Sequence, residues 1–230
     1  MIKKHVLSGA TSGIGRSLYD RLKEAEHEVI PVVRNKAGAD LLGASKFILA
    51  DFESPDEVRA SFKSFDEPVD YFINCAGVAV GKPIWDTSND ENRSLININL
   101  LSPVAALSEL RGNFRDGGGI FLFSSISAYR GGWDDIYIAS KAGISGLVKS
   151  LSAKMAPNVR VIGIAPGVTA ETRMTNERKI DDIDKVVSQI PMATLASPND
   201  IAEVVISLMG PAGAHITGAM IDINGGAYLR

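Results

Sequence analysis

Residues 6–15 read Val6-Leu7-Ser8-Gly9-Ala10-Thr11-Ser12-Gly13-Ile14-Gly15, and this stretch decides the fold. A short apolar run meets glycines at 9, 13 and 15, and a segment of helical periodicity follows through about Ala25. Glycines between a buried strand and a helix let the chain turn tightly and let backbone N–H groups approach a pyrophosphate. The positive N-terminus of the helix attracts the same anion. The spacing here is Gly-x-x-x-Gly-x-Gly rather than Gly-x-Gly-x-x-Gly. A purely structural glycine turn is the competing reading, and its place directly after the first strand weighs against that.

The same alternation continues outward from this turn. Val29–Val33 reads as a second strand, although Pro31 is unusual inside one. Lys46–Ala50 is a third, ending at Asp51, after which Ser54 caps a helix with Pro55 in its first turn. Val69–Asn74, Gly119–Ser124, Val159–Ile164 and Ala219–Ile223 make about seven strands in all. Strands separated by helix-length segments predict an α/β, Rossmann-like, doubly wound parallel sheet with helices on both faces. No linker, repeat or composition shift divides the chain, so residues 1–230 are expected to form a single domain.

Composition agrees with an ordinary globular protein of one domain. The chain has 230 residues, 45% of them apolar and 22% charged, enough for a substantial core. The net charge of −3 is spread along the sequence, which argues against a nucleic-acid partner and against a polybasic membrane patch. The apolar run near the N-terminus is too short for a signal peptide or membrane span. Cys75 is the lone cysteine, so no internal disulfide can form, and a reducing, cytoplasmic setting is expected. His5, His27 and His215 lack metal-ligand spacing, and no metal is expected.

In doubly wound sheets, ligands bind beyond the carboxyl ends of the strands, where the winding reverses. Arg34 follows the second strand directly, with Asn35 and Lys36 behind it. A carboxylate there would hold ribose hydroxyls; an arginine pairs instead with a 2′-phosphate, which favours NADP(H) over NAD(H). Asp51 either accepts from an adenine amino group or caps the turn that follows it. Both remain open.

Chemistry is expected at Tyr137-Ile138-Ala139-Ser140-Lys141. On a helix, positions four apart share a face, so the phenol and the ammonium converge. A free tyrosine has a pKa near 10, and an adjacent cation favours the phenolate. Ser125 lies twelve positions earlier, at a strand end, where its hydroxyl can hold a substrate carbonyl. Asn74-Cys75-Ala76-Gly77, Asn97–Leu100 and Ala165-Pro166-Gly167-Val168-Thr169 also follow strands four to six and gather at one rim. Cys75 itself reads as a small packing residue rather than a reactive thiol.

Together these motifs resemble the short-chain dehydrogenase/reductase family in its compact form, and the resemblance runs to Ile223-Asn224-Gly225-Gly226. It implies an Asn-Ser-Tyr-Lys tetrad at Asn99, Ser125, Tyr137 and Lys141. It implies cofactor contacts at Gly9, Thr11, Ser12, Gly13, Ile14, Gly15, Arg34, Asp51, Phe52, Asn74, Ala76 and Gly77. Pro166, Gly167, Val168 and Thr169 would face the nicotinamide side. The implied reaction interconverts a carbonyl and a hydroxyl on a small organic substrate. In it Ser125 polarises the carbonyl, Tyr137 is the general acid/base, Lys141 holds ribose hydroxyls, and Asn99 holds a proton-relaying water.

Four places depart from or complicate the pattern. Cys75 stands where the family has a second asparagine, and Asn224 where aspartate is common. Thr169 and Thr172 are offset from the usual threonine. Ser124 competes with Ser125, which is preferred on spacing, with Ser127 a distant third. Tyr129, Trp133 and Gly131-Gly132 are plausible pocket wall, and residues 171–193 read as a lid over substrate. A homo-oligomer, dimer or tetramer, is expected by analogy. Two other functions fit the same scaffold: an NADP(H)-sensing protein without turnover, and an epimerase or dehydratase.

Overall fold

The structure, a computed structural model, describes residues 2–172, 175–176 and 183–229. Its strands are β1 (Lys4–Ser8), β2 (Glu28–Val33), β3 (Ile48–Leu49), β4 (Val69–Asn74), β5 (Phe114–Phe123), β6 (Val159–Pro166) and β7 (Met220–Ile223). They form one sheet in the order β3-β2-β1-β4-β5-β6-β7, every neighbouring pair parallel. The helices are α1 (Gly13–Glu24), α2 (Lys36–Leu41), α3 (Pro55–Lys63), α4 (Asn89–Ile96), α5 (Ser102–Leu110), α6 (Ser127–Arg130), α7 (Asp135–Met155), α8 (Ile183–Ser188) and α9 (Pro198–Met209).

The strands read as unbroken apolar runs because both faces of the sheet are covered. Val6, Phe72, Ile120, Leu122 and Val161 point to one face, where Phe62 of α3, Leu110 of α5, and Ile144 and Val148 of α7 meet them. Leu7, Ile73, Phe121 and Ile162 point to the other, against Leu18 and Leu22 of α1 and Ile201 and Val205 of α9. Burying each such side chain contributes about 1.5–3 kcal/mol. The strand order reverses between β1 and β4. The crevice beyond Ser8 and Asn74, paired as the last residues of those strands, is therefore the place for a ligand.

Two strands differ from the reading of the sequence. Only Ile48 and Leu49 of the expected Lys46–Ala50 run pair as β3, against Val32 and Val33. This is an edge strand, and Leu49 is exposed, so packing enforces little pairing there. It also accounts for Pro31, whose position has no β3 partner on that side. Conversely, β5 starts five residues earlier than Gly119, at Phe114, with a register shift opposite Val69 and Tyr71. Gly117, Gly118 and Gly119 carry no side-chain pattern, so the sequence hides backbone pairing that continues through them. The helix predicted at Ser54 forms as read, with the Ser54 hydroxyl accepting from the Glu57 amide at 3.3 Å.

Candidate active site

The glycine turn is shaped by contacts that exclude side chains. Gly9 has φ +73°, and a Cβ on it would stand 2.7 Å from the Ala76 nitrogen; a Cβ on Gly15 would run into the Gly9 carbonyl oxygen. The turn is thus pressed against the start of α1 and against the segment leaving β4. Ser12 is the N-cap of α1, yet its side chain makes no capping hydrogen bond, and the first turn holds no acidic residue. First-turn N–H groups without a side-chain cap, beside a backbone cradle, fit the phosphates of a dinucleotide.

Around this cradle the neighbouring segments close in. Thr11 lies beside Gly38, its γ-methyl 3.5 Å from where a Cβ there would sit. That places the turn next to the end of β2. Arg34, Asn35 and Lys36 are exposed there; Asn35 is occupied as the N-cap of α2, accepting from the Gly38 amide at 3.1 Å. Arg34 has no ion pair among the described residues. The Thr172 methyl lies 3.4 Å from a Cβ built on Gly13, so the expected lid segment begins over the turn. Residues 173–174 and 177–182 of that segment lie outside the described residues.

Buried hydrogen bonds join Asn99 to the helix turn of Tyr137. Asn99 sits in a π-helical turn, Asn97–Leu101, inserted between α4 and α5, and it is fully buried. Such turns recur at functional sites because they re-aim a side chain. Its Oδ1 accepts from the Val78 amide at 2.8 Å, while its Nδ2 donates to the Val78 carbonyl at 2.9 Å and to Ser140 Oγ at 3.0 Å. Ser140 Oγ in turn donates to the Tyr137 carbonyl at 2.7 Å. Asn99 is therefore tied to the helix turn that carries Tyr137.

Lys141 is 4% exposed and donates from Nζ to the Phe123 carbonyl at 2.9 Å. Its ammonium lies 5.8 Å from the centre of the Tyr137 ring. Burial pushes its pKa down to about 8, against a smaller opposing effect of Cys75. A Cβ on Gly77 would be 3.1 Å from Lys141 Nζ and 3.4 Å from Asn99 Oδ1, so glycine there leaves these groups room to meet. Tyr137, itself buried, lines a cleft of about 170 Å³ together with Ser127, Arg130, Trp133, Ile138 and Val168.

The two adjacent serines have separated tasks. Ser124 Oγ is spent on the Lys141 carbonyl at 2.7 Å, which ties β5 to α7. Ser125 Oγ instead accepts from the Ser127 amide at 3.1 Å and keeps its own proton to give. Of the nucleotide-side expectations, Asp51 caps the following turn, its Oδ1 accepting from the Glu53 amide at 3.0 Å. For two others the fold engages the side chain. Phe52 is buried in the core, which leaves its backbone as the part open to a ligand. Asn74 is fully buried, its Oδ1 accepting from Ser8 Oγ at 2.7 Å, while its Nδ2 has no partner among the described residues. Pro166 ends β6, and the Gly167 amide donates to the Ile223 carbonyl at 2.9 Å. Thr169 is buried, with its hydroxyl on the Gly167 carbonyl at 3.2 Å. Cys75 is half-buried against the core, and its surroundings push the thiol pKa up, which suits packing and not reactivity.

Sequence reasoning passed over Asp134, a buried carboxylate at the N-cap of α7. Its position three residues before Tyr137, at the start of a helical run, is the signal that marks such a cap. It also passed over Ser8 and Ser140, whose roles depend on partners distant in sequence.

Known proteins share this fold. The family described as enoyl-(acyl carrier protein) reductase matches residues 9–228. Carbonyl reductase family member 4 of Xenopus laevis is 30% identical, covering 100% of both chains. The 3-oxoacyl-[acyl-carrier-protein] reductase FabG of Vibrio harveyi is 30% identical over 97% of this chain and 96% of its own. Among solved structures, a short-chain dehydrogenase/reductase from Brucella melitensis superposes with a TM-score of 0.90 at 29% identity, covering 99% of this chain and 97% of that one. A short-chain dehydrogenase from Burkholderia cenocepacia in complex with NADP gives 0.86 at 26% identity, covering 98% and 97%. The chain belongs to the short-chain dehydrogenase/reductase family and is an oxidoreductase that depends on a nicotinamide cofactor. No helix among the described residues is long and apolar enough to cross a membrane.

Proposed function

We propose that the protein reduces a ketone to a secondary alcohol with NADPH, and runs the reverse oxidation, with Tyr137 as the general acid/base. The observation that carries this reading is the meeting of Lys141 and Asn99 at Gly77, beside the glycine cradle, with the Lys141 ammonium 5.8 Å from the centre of the Tyr137 ring. When bound, the nicotinamide supplies or takes up the hydride. The chain's own residues manage the proton.

Ser125 Oγ donates a hydrogen bond to the substrate carbonyl oxygen and polarises it, and Tyr137 then gives that oxygen its phenolic proton. A phenol near pKa 10 is a reluctant donor and acceptor near neutrality, so the phenolate left behind needs stabilising. The Lys141 ammonium does this from a buried site where electrostatics are strong. At neutral pH a lysine whose pKa is held near 8 is still mostly protonated, and the charge is present when needed. Asn99 steadies the loop wall at Val78 and, with Ser140, the backbone of Tyr137.

Preference for NADPH is supported by Arg34, exposed at the end of β2 with no carboxylate at 34–36, and by the Burkholderia relative's bound NADP. The cleft beside Tyr137 is walled by Trp133, Ile138 and Val168 and also by Ser127, Arg130 and Asp134, which suits a modest carbonyl compound with an apolar body and a polar end. Relatives named 3-oxoacyl-[acyl-carrier-protein] reductase and acetoacetyl-CoA reductase make 3-oxoacyl thioesters the first substrates to try. The test is NADPH consumption across a panel of ketones and acetoacetyl-CoA. Tyr137→Phe is expected to lower kcat at least a thousandfold with NADPH binding nearly intact. A fully active Phe variant would overturn the role given to Tyr137.

A further inference from the structure

Asp134 stands outside the tetrad, yet its side chain fastens three backbone amides of the site, against two backbone groups held by Asn99. It is 3% exposed and lines the same cleft as Tyr137. Its Oδ1 accepts from the Tyr137 amide at 3.0 Å, capping α7. Its Oδ2 accepts from two successive amides of another segment, Val80 at 2.8 Å and Gly81 at 2.7 Å. Gly81 has φ +72°, and two adjacent N–H groups aimed at one oxygen make the backbone concavity that binds anions. Here the anion is a side chain of the protein itself. Next to it, Asp135 Oδ2 accepts from the Ile84 amide at 2.9 Å.

The segment being held, residues 75–83, leaves β4 without helix or strand of its own. It carries Ala76 and Gly77, which contact the glycine cradle, Lys141 and Asn99, and it is tied to Asn99 at Val78. A loop built this way sets the distance between the cofactor rim and the tyrosine helix. Asn99 fixes it from one side. The other fixed point is Asp134.

We infer that Asp134 is a positioning residue: one buried carboxylate locks the loop after β4 to the first turn of α7, and so sets Tyr137 against the cofactor rim. A carboxylate is required because both oxygens must accept, and only an ionised acid offers acceptors on both with no donor. Asparagine or serine keeps the cap at the Tyr137 amide, since both are good N-caps, but neither can take the two loop amides. The inference rests on the assignment of Tyr137 as the proton donor.

The experiment compares the full-length wild-type protein with Asp134→Asn and Asp134→Ser. The readouts are NADPH affinity by fluorescence, kcat and KM for acetoacetyl-CoA or the best ketone of the panel, and the primary deuterium isotope effect with labelled NADPH. Both variants are expected to bind NADPH within threefold of wild type, to lose at least tenfold in kcat, and to show a larger isotope effect on kcat/KM. A helix cap alone predicts wild-type kinetics in both, and that outcome overturns the inference. A fall in kcat with an unchanged isotope effect reports only lost active protein and overturns it too. Gly81→Ala loosens the loop without touching α7, in open space around the new Cβ, and is expected to give a milder form of the same effect. That variant decides the matter if the Asp134 variants do not fold. Tyr137→Phe run in parallel separates the two claims: activity there removes the premise, whereas a dead Phe variant beside wild-type-like Asp134 variants removes only this inference.

Discussion

At the residue scale, the site works by placing charge where water cannot screen it. Lys141 is stripped of solvent, which alone would drive it towards neutrality, and the Phe123 carbonyl gives its ammonium a partner. Arg34 is the opposite case, an exposed cation whose value depends on what it meets. If it meets a 2′-phosphate, Arg34→Ala weakens NADPH binding ten- to a hundredfold, about 1.5–3 kcal/mol for a charged hydrogen-bonded contact. NADH binding is expected to stay within twofold. Titration of both nucleotides on the variant checks this, and equal loss for the two would assign Arg34 to the surface. The spacing of Tyr137 and Lys141 placed them on one helix face, and only Ser125, Asn99 and the glycine turn beside them in the reading gave the pair weight. Asp134 was not legible, because a carboxylate before a helix reads as an ordinary cap until the loop that donates to its second oxygen is seen.

At the element scale, the glycine turn, the end of β4 and the start of α1 form a single interlocked unit. Gly9 joins two constraints, a left-handed backbone and the Ala76 nitrogen 2.7 Å from any added Cβ. Gly9→Ala is therefore expected to cost at least about 2 kcal/mol, combining left-handed strain with backbone displacement. Nucleotide binding should be lost as well, since the displaced backbone is the cradle. Thermal melts with and without NADPH check both parts: the variant should melt lower and gain nothing from the cofactor. The turn itself was readable as a strand-to-helix junction. That its pressing neighbour would be the segment after β4 was not, because the two lie far apart along the chain and only the β1–β4 pairing brings them together.

At the scale of the whole molecule, burying both faces of the sheet encloses His5 at the far, amino-terminal end of β1. It is 1% exposed, stacked on Tyr71 at 5.3 Å, and neither ring nitrogen has a partner among the described residues. Burial, with some help from His27, pushes its pKa down from 6.5 to about 3. Between those values the unfolded chain binds a proton that the folded one refuses, so stability falls as pH drops below about 6.5 and the loss is complete near 3. From pH 6.5 to 5 this amounts to about 2 kcal/mol. The lowered pKa values of Glu67, Asp70 and Asp200 add their own losses only below the ordinary carboxylate range. His5→Phe, which keeps the stack on Tyr71, is expected to flatten the decline in Tm between pH 6.5 and 5. An unchanged slope would place the acid sensitivity elsewhere.

The sequence by itself determined the sheet and its winding, because these depend on local periodicity and short spacings, and it nominated Asn99, Ser125, Tyr137 and Lys141 by their likeness to a family pattern. Tertiary structure decided which polar residues are spent on the fold and which are left for chemistry. Ser124 and Ser125 are indistinguishable as letters, and only the approach of the Lys141 carbonyl commits the first to packing. Phe52 and Asn74 both lie at or just past strand ends, and the fold alone turns the first side chain into the core and sets the second on Ser8. A hydrogen bond or a buried contact is made with whatever the fold brings near, and in a parallel sheet that neighbour is far away along the chain.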